Sequence, residues 1–363
     1  MSTINVYSHK YNGFSRQLLE SFYASGKDQN LIFSPFSILM MLAIAADVTA
    51  GNTRNQITHV LSDNMSFDDV ISTLKEIQAA FTEHAALISA NAVCINNNVE
   101  KSILPTFSDH IKEQFGGEIF SSADIVKDVN KWVKKHTRGM IDKIADDSMQ
   151  NMLACLVNAT AFEGRWTKHY TRDDIEYKEF RNSDGSIKET AMLEISEREY
   201  IENSNFIGFV KPYKNNGFSF MALLPKKESA ADMSLALQSL DFSSAFNSRT
   251  SERVFVTLPE FKYSFGKDLT PLFRELGIEE IFTDYADFTP LSSSWLKLES
   301  ILHKARIEVD RSGTKAAAVT AGFACAGAAP KIHKVVELNR PFVYAIMHDE
   351  TDLPVFTGIV NML

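Results

Sequence analysis

The sequence predicts an α+β protein with large sheets. Helical periodicity crowds into the first third, strand-like apolar runs fill the remainder, and no linker or repeat separates the two. The chain has 363 residues, 45% hydrophobic and 23% charged. That mix excludes disorder, collagen and coiled coil as descriptions of the whole chain.

Taken in order, apolar residues at spacings of three and four predict helices over 14–25, 37–47, 67–84, 105–115 and 129–138. The most apolar run, 31–48, approaches the length of a membrane span. Ser34, Pro35 and Ser37 interrupt it and Asp47 closes it, so a buried helix starting after Pro35 is the better reading. Runs rich in Val, Ile, Phe and Leu predict strands over 152–162, 206–213, 219–224, 253–258, 304–309, 334–338, 342–348 and 355–360. Many lack strict alternation, as central strands covered on both faces do. We read one domain over 1–363.

The formal charge of −9 sets nucleic-acid binding at a disadvantage. Lys131, Lys134, Lys135 and Arg138 stand at i, i+3, i+4 and i+7, a stripe that suits a polyanion weakly and a solvated helix face better. Cys94, Cys155 and Cys325 are odd in number and far apart, without metal or redox spacing. No secretory leader is evident in residues 1–30; we prefer an extracellular protein with its leader removed over a cytoplasmic one, and the compartment stays open. GxSxG, HExxH and GxGxxG are missing, which removes the sharpest enzyme signatures and leaves no cofactor or metal to expect, while sequence order leaves open a triad assembled from the histidines and the many Ser, Asp and Glu residues.

One segment fits no packed element. Residues 313–330 read GTKAAAVTAGFACAGAAP, dominated by alanine and glycine, whose side chains are too small to anchor a segment to a core. We expect an exposed loop. A linker is a poor explanation, because the short stretch that follows reads as strands of the same fold.

Several segments together resemble the serpin family over essentially the whole chain. They are NLIFSPFSILMMLAIAADVTAGNTRNQI (30–57), LVNATAFEGRW (156–166), PYKNNGFSFMALLP (212–225), LGIEEIFTDYADF (276–288), HKARIEVDRSGTKAAAVTA (303–321), NRPFVYAI (339–346) and PVFTGIVN (354–361). Asp47-Val48 departs from the more usual Gly-Ala. The resemblance implies a serpin fold with three β-sheets, eight or nine helices and a reactive-centre loop, here 313–337. It also implies a suicide substrate: a serine protease attacks the loop, an acyl-enzyme forms, and the cleaved loop inserts into the main sheet. A non-inhibitory carrier or chaperone of the same fold is the alternative; on both readings the resemblance implies a protein that is not an enzyme, and a hydrolase with an unrecognised triad is the third reading.

Carried over residue by residue, the resemblance implies a hinge of Gly313, Thr314, Ala316, Ala318 and Thr320, a shutter of Ser34, Ser37, Asn158 and His303, and a breach of Trp166, Glu260 and Arg311. At period two, Thr314, Ala316, Ala318 and Thr320 share one face, which we expect to be buried on insertion, while Lys315 stays wet. Arg311 stands where the family usually has an acid and Glu260 where it often has a base, so we expect an inverted ion pair between them.

The scissile bond is expected among Cys325, Ala326, Gly327, Ala328 and Ala329. Counting from Gly313 gives 327–328 and counting back from Asn339 gives 330–331; bonds after Cys325, Ala326 or Ala328 are preferred. Small residues there suit the shallow primary pocket of elastase-like proteases. Phe323 and Lys331, which would suit chymotrypsin-like and trypsin-like proteases, lie at the window's edges. A cysteine protease is a secondary expectation, and a monomer is expected.

Overall fold

The computed structural model describes residues 3–62, 65–83, 86–99, 103–214, 217–314 and 334–363. Among them are nine α-helices: α1 (Thr3–Ser25), α2 (Pro35–Asp47), α3 (Gly51–Leu61), α4 (Phe67–Thr82), α5 (Pro105–Phe115), α6 (Ile125–His136), α7 (Ala230–Gln238), α8 (Phe242–Asn247) and α9 (Thr270–Glu275). The strands run β1 (Leu31–Phe33), β2 (Leu87–Asn96), β3 (Glu118–Ser122), β4 (Ala154–Phe162), β5 (Gly164–Arg165), β6 (Ile175–Arg181), β7 (Ile187–Glu197), β8 (Glu199–Glu202) and β9 (Phe206–Pro212). They continue β10 (Phe218–Pro225), β11 (Val254–Pro259), β12 (Phe261–Asp268), β13 (Ser300–Asp310), β14 (Gly313–Thr314), β15 (Lys334–Glu337), β16 (Phe342–His348) and β17 (Leu353–Val360).

These strands make three sheets. The first has the order β1-β17-β16-β10-β9-β8, the second β15-β11-β7-β6, and the third β3-β2-β4-β13-β14-β5 with β12 beside β13. In the third sheet, β4 and β13 are parallel from Cys155 opposite Ser300 to Ala161 opposite Arg306, while β2 is antiparallel to β4 and β12 to β13.

The apolar run at 31–48 divides as expected. Leu31–Phe33 pairs with β17, Ser34 caps α2 by accepting the N–H of Ser37, and Pro35 fills the first helical turn, where its missing N–H costs nothing. Every side chain of α2 from Pro35 to Ala46 is buried, so the helix is apolar all round because it runs through the core. No helix among the described residues is long and apolar enough to cross a membrane.

The first third is less helical than its periodicity suggests, since β1, β2 and β3 lie within it. β2 reads LISANAVCIN and is almost wholly buried despite its polar residues, so its alternation is masked. The helix expected over 129–138 is instead α6, whose N-cap Asp124 accepts the N–H of Lys127 and whose last residue is His136. Its apolar stripe of Ile125, Val129, Trp132 and Val133 packs with Cys94, Cys155, Val157 and Leu302 on the outer face of the third sheet. The opposite face of that sheet joins the main core, with Phe162, Ala305, Ile307 and Val309.

Candidate functional site: the hinge and seam of the third sheet

β13 ends in a turn that its own last residue builds. Asp310 Oδ1 accepts the backbone N–H groups of Ser312 at 2.6 Å and Gly313 at 3.1 Å, an arrangement for which an Asp side chain is suited. Gly313 has φ +155°, and a Cβ there would lie 2.1 Å from the carbonyl oxygen of Gly164, so glycine is the residue that fits. The reversed chain enters the third sheet as β14: Thr314 is opposite Val309 on one side and Gly164 on the other.

The turn is held from several sides. Trp166 Nε1 donates to the Asp310 carbonyl at 2.9 Å, Trp166 N to Ser312 O at 3.0 Å, and Tyr170 N to Arg311 O at 3.0 Å. Thr314 is fully buried, and its hydroxyl shares a hydrogen bond with Tyr213 at 2.5 Å. Tyr213 in turn stacks on Trp166, centroids 4.6 Å apart and planes 12° from parallel. Burial drives the Tyr213 phenol pKa upward, so it stays a neutral hydrogen-bonding group.

Glu260 meets Arg311, but not as expected. Its Oε1 accepts the backbone N–H of Arg311 at 3.2 Å, and no side-chain ion pair joins the two among the described residues. The turn presents the Arg311 peptide to Glu260 and leaves the guanidinium exposed, where pairing gains little. The buried ion pair in this neighbourhood is Lys211 with Glu197, 2.5 Å apart, the ammonium lying 4.6 Å from the Tyr170 ring centroid and 5.4 Å from that of Trp166. Burial pushes the Lys211 pKa down while the carboxylate opposes it. Sequence reading missed Tyr213, Lys211 and Glu197, because no local pattern marks a cross-strand partner.

Further down the β4–β13 seam, His303 faces Asn158. His303 Nδ1 lies 2.7 Å from Asn158 Oδ1, and Asn158 Nδ2 donates to Asn91 Oδ1 at 2.7 Å and to the Ala90 carbonyl at 3.3 Å. Because the Asn158 amide nitrogen is committed to β2, its oxygen accepts and Nδ1 carries the imidazole proton. Burial lowers the His303 pKa to about 3, so the ring is neutral, and its Nε2 has no hydrogen-bond partner among the described residues. The other two candidates form their own pair: Ser37 N donates to Ser34 Oγ at 3.2 Å, and Ser37 Oγ reaches Ser89 Oγ at 3.1 Å. No hydrogen bond links the two pairs directly among the described residues. β2 joins them through Ser89 and Asn91, two residues apart on one face. The remaining hinge and scissile-bond candidates, Ala316, Ala318, Thr320, Cys325, Ala326, Gly327, Ala328 and Ala329, lie outside the described residues.

The family model described as Serpin (serine protease inhibitor) matches residues 9–362. This chain belongs to the serpin family. Glia-derived nexin of Rattus norvegicus is 31% identical, the match covering 95% of this chain and 90% of that one. The native-state structure of the thermophilic serpin tengpin superposes with a TM-score of 0.88 at 32% identity, over 98% of this chain and 94% of that one. Human thyroxine-binding globulin, solved as a ligand complex, shares the fold at a TM-score of 0.89 and 21% identity, with 99% of each chain covered.

In this serpin the segment after α6 straps the seam from outside. Lys304 Nζ donates to the Lys143 carbonyl at 2.6 Å and Arg306 NH1 to the Met140 carbonyl at 3.0 Å, so the strap reaches across to β13. The basic stripe expected on α6 is shorter than four residues. Arg138 lies beyond the helix in a left-handed conformation, φ 51°, and pairs with Glu163 at 3.4 Å; Lys134 pairs with Asp142 at 3.0 Å. Lys131 and Lys135 remain exposed.

The chain re-enters the fold at β15, which pairs in parallel with β11. Its first residue, Lys334, holds Glu202 at 3.0 Å and lies 4.6 Å over the Tyr200 ring; Glu202 also receives Lys226 and the Tyr200 hydroxyl. Those donors bring the Glu202 pKa down to about 2.

Proposed function

We propose that this serpin inhibits an elastase-like serine protease as a suicide substrate, with insertion of the cleaved loop between β4 and β13. The observation that carries the reading is β14: the first two hinge residues already lie as a strand antiparallel to β13 and β5, at the head of a parallel seam. Parallel pairing is slightly weaker than antiparallel pairing, so a strand continuing from β14 replaces one parallel ladder with two antiparallel ones. Each added backbone hydrogen bond contributes about 0.5–1.5 kcal/mol net. The uncut form is then held kinetically.

On insertion in the register of β14, position 316 would come opposite Ile307 and Phe162, 318 opposite Ala305 and Thr160, and 320 opposite His303 and Asn158, six neighbours that are all buried. Threonine and alanine suit those crowded neighbours. Position 315 falls opposite Glu308 and Glu163, both partly exposed, a setting that suits Lys315. Position 320 reaches the seam where His303 bonds Asn158, which makes that pair, with Ser34 and Ser37, a gate on insertion. Trp166, Tyr213 and the Glu260 contact to Arg311 then hold the point where insertion begins. Elastase-like specificity rests on the small residues from Cys325 to Ala329. Lys131 and Lys135 offer a polyanion only a small patch.

Incubation with elastase, chymotrypsin and trypsin followed by denaturing electrophoresis tests the proposal. A covalent complex with elastase is expected, with the cleaved serpin melting above the intact one. Loop cleavage with no complex overturns inhibition in favour of the carrier reading, and a complex with trypsin or chymotrypsin alone overturns the specificity.

A further inference from the structure

Cys94 of β2 lies directly opposite Cys155 of β4 in an antiparallel pair. Both are buried, and both belong to the apolar cluster under α6, so their side chains leave the same face of the sheet. Opposed residues of an antiparallel pair hold their Cβ atoms about 4.5–5.5 Å apart, and a disulfide needs about 3.5–4.5 Å. A shift of roughly an ångström closes the gap. The proximity is felt chemically, since Cys155 together with burial holds the Cys94 thiol well above its ordinary pKa.

We propose that Cys94 and Cys155 form a cross-strand disulfide when the chain folds in an oxidising medium. The bond ties the two ends of the 95–154 excursion that carries α5, β3 and α6. It forms before α6 docks, because afterwards both thiols are buried and the Cys94 thiol is poorly ionised, conditions that slow exchange. In the first step the Cys94 thiolate attacks one sulfur of a small-molecule disulfide such as oxidised glutathione. A glutathione thiolate leaves and takes up the proton that Cys94 lost. The Cys155 thiolate then attacks Cys94 Sγ, forms the Sγ–Sγ bond and expels the second glutathione thiolate, which takes the Cys155 proton. Two protein thiols are oxidised and one glutathione disulfide is reduced to two thiols. This inference stands apart from protease inhibition.

The full chain with Cys325→Ser, which removes the third thiol, is refolded in a reduced and oxidised glutathione buffer, acid-quenched, denatured and alkylated with a maleimide polyethylene glycol. No alkylation is expected, together with one peptide pair, joined through Cys94 and Cys155, two hydrogens lighter than its reduced components. Adding Cys94→Ala to that background restores one reactive or glutathione-capped thiol. The oxidised protein is expected to unfold roughly 5 °C higher than the reduced one. The Cys94→Ala, Cys155→Ala double variant, a control for folding, shows no such oxidant-dependent shift. Two alkylated thiols after oxidative refolding, glutathione adducts in place of the crosslink, or equal midpoints overturn the proposal.

Discussion

Strands β10, β16 and β17 are buried along their whole length, and among the described residues they contain one buried side-chain polar atom without a hydrogen-bond partner, Thr357 Oγ1. The seam between β4 and β13 is almost as deeply buried yet contains four such atoms among the described residues: Thr160 Oγ1, Ser300 Oγ, His303 Nε2 and Arg306 Nε. Each such atom costs about 1–3 kcal/mol when it has given up water for nothing. Similar burial thus serves two ends. β10, β16 and β17 are mostly apolar with a single unmet polar atom, whereas the seam combines parallel pairing with more unmet polarity, the condition that the proposed strand insertion draws on.

Four experiments test this contrast. The largest effect is expected from Thr314→Arg, which places a charge where the side chain is fully buried. An unpaired buried charge costs several kcal/mol, so the covalent complex should fall by roughly tenfold or more. Cleavage of the loop continues, and the ratio of complex to cleaved serpin on a gel reads the result. Retained complex formation would show that this position tolerates a charge in the inserted strand.

Next in size is His303→Ala, which leaves Asn158 Oδ1 without its donor at 2.7 Å. A loss of about 1–3 kcal/mol from the seam should shorten the lifetime of the uncut monomer on mild heating by roughly tenfold. An unchanged lifetime argues against the gate.

The same histidine makes stability depend on pH. Its folded pKa is about 3, against about 6.5 in an unfolded chain. Between those values the unfolded state binds more protons, so stability rises with pH. The contribution is fully present above about pH 6.5 and is lost as pH falls toward 3, by at most about 1.4 kcal/mol per pH unit. Comparing wild type with His303→Gln at pH 7.5 and 5 isolates this slope. Parallel behaviour of the two would mean that His303 is not the titrating group.

Tyr213→Phe is expected to have the smallest effect. It keeps the stack on Trp166 but removes the 2.5 Å hydrogen bond to Thr314. A loss of about 1 kcal/mol should release β14 more readily, seen as faster backbone amide exchange at Thr314 with little change in the global melting point. If Thr314 exchanges no faster, the phenol is not its restraint.

Much of this was legible in the chain. The α+β class followed from where the two periodicities fall, and the α2 boundary followed from Ser34 and Pro35, whose capping chemistry is local. His303 and Asn158 were reached only through a family resemblance, and the structure then showed what their sequence positions do not: Ser34 and Ser37 bond to each other and to β2 instead of to His303. β2 was missed because LISANAVCIN breaks its apolar pattern with an exposed serine, Ser89, and with Asn91, which is buried and bonds Asn158 in the core.

The amino-acid order fixes where the chain turns, which segments are apolar on one face or both, and that residues 313–330 are dominated by alanine and glycine, although Gly313 and Thr314, expected in an exposed loop, are anchored as β14. Those properties depend on neighbours within a few residues. Long-range packing sets that Glu260 takes the Arg311 peptide and not its guanidinium, that Tyr213 closes on Thr314, and that Cys94 stands across from Cys155. The period of a strand specifies which face a residue occupies, but its partner is set by register between segments tens of residues apart, and a slip of one position changes every pair.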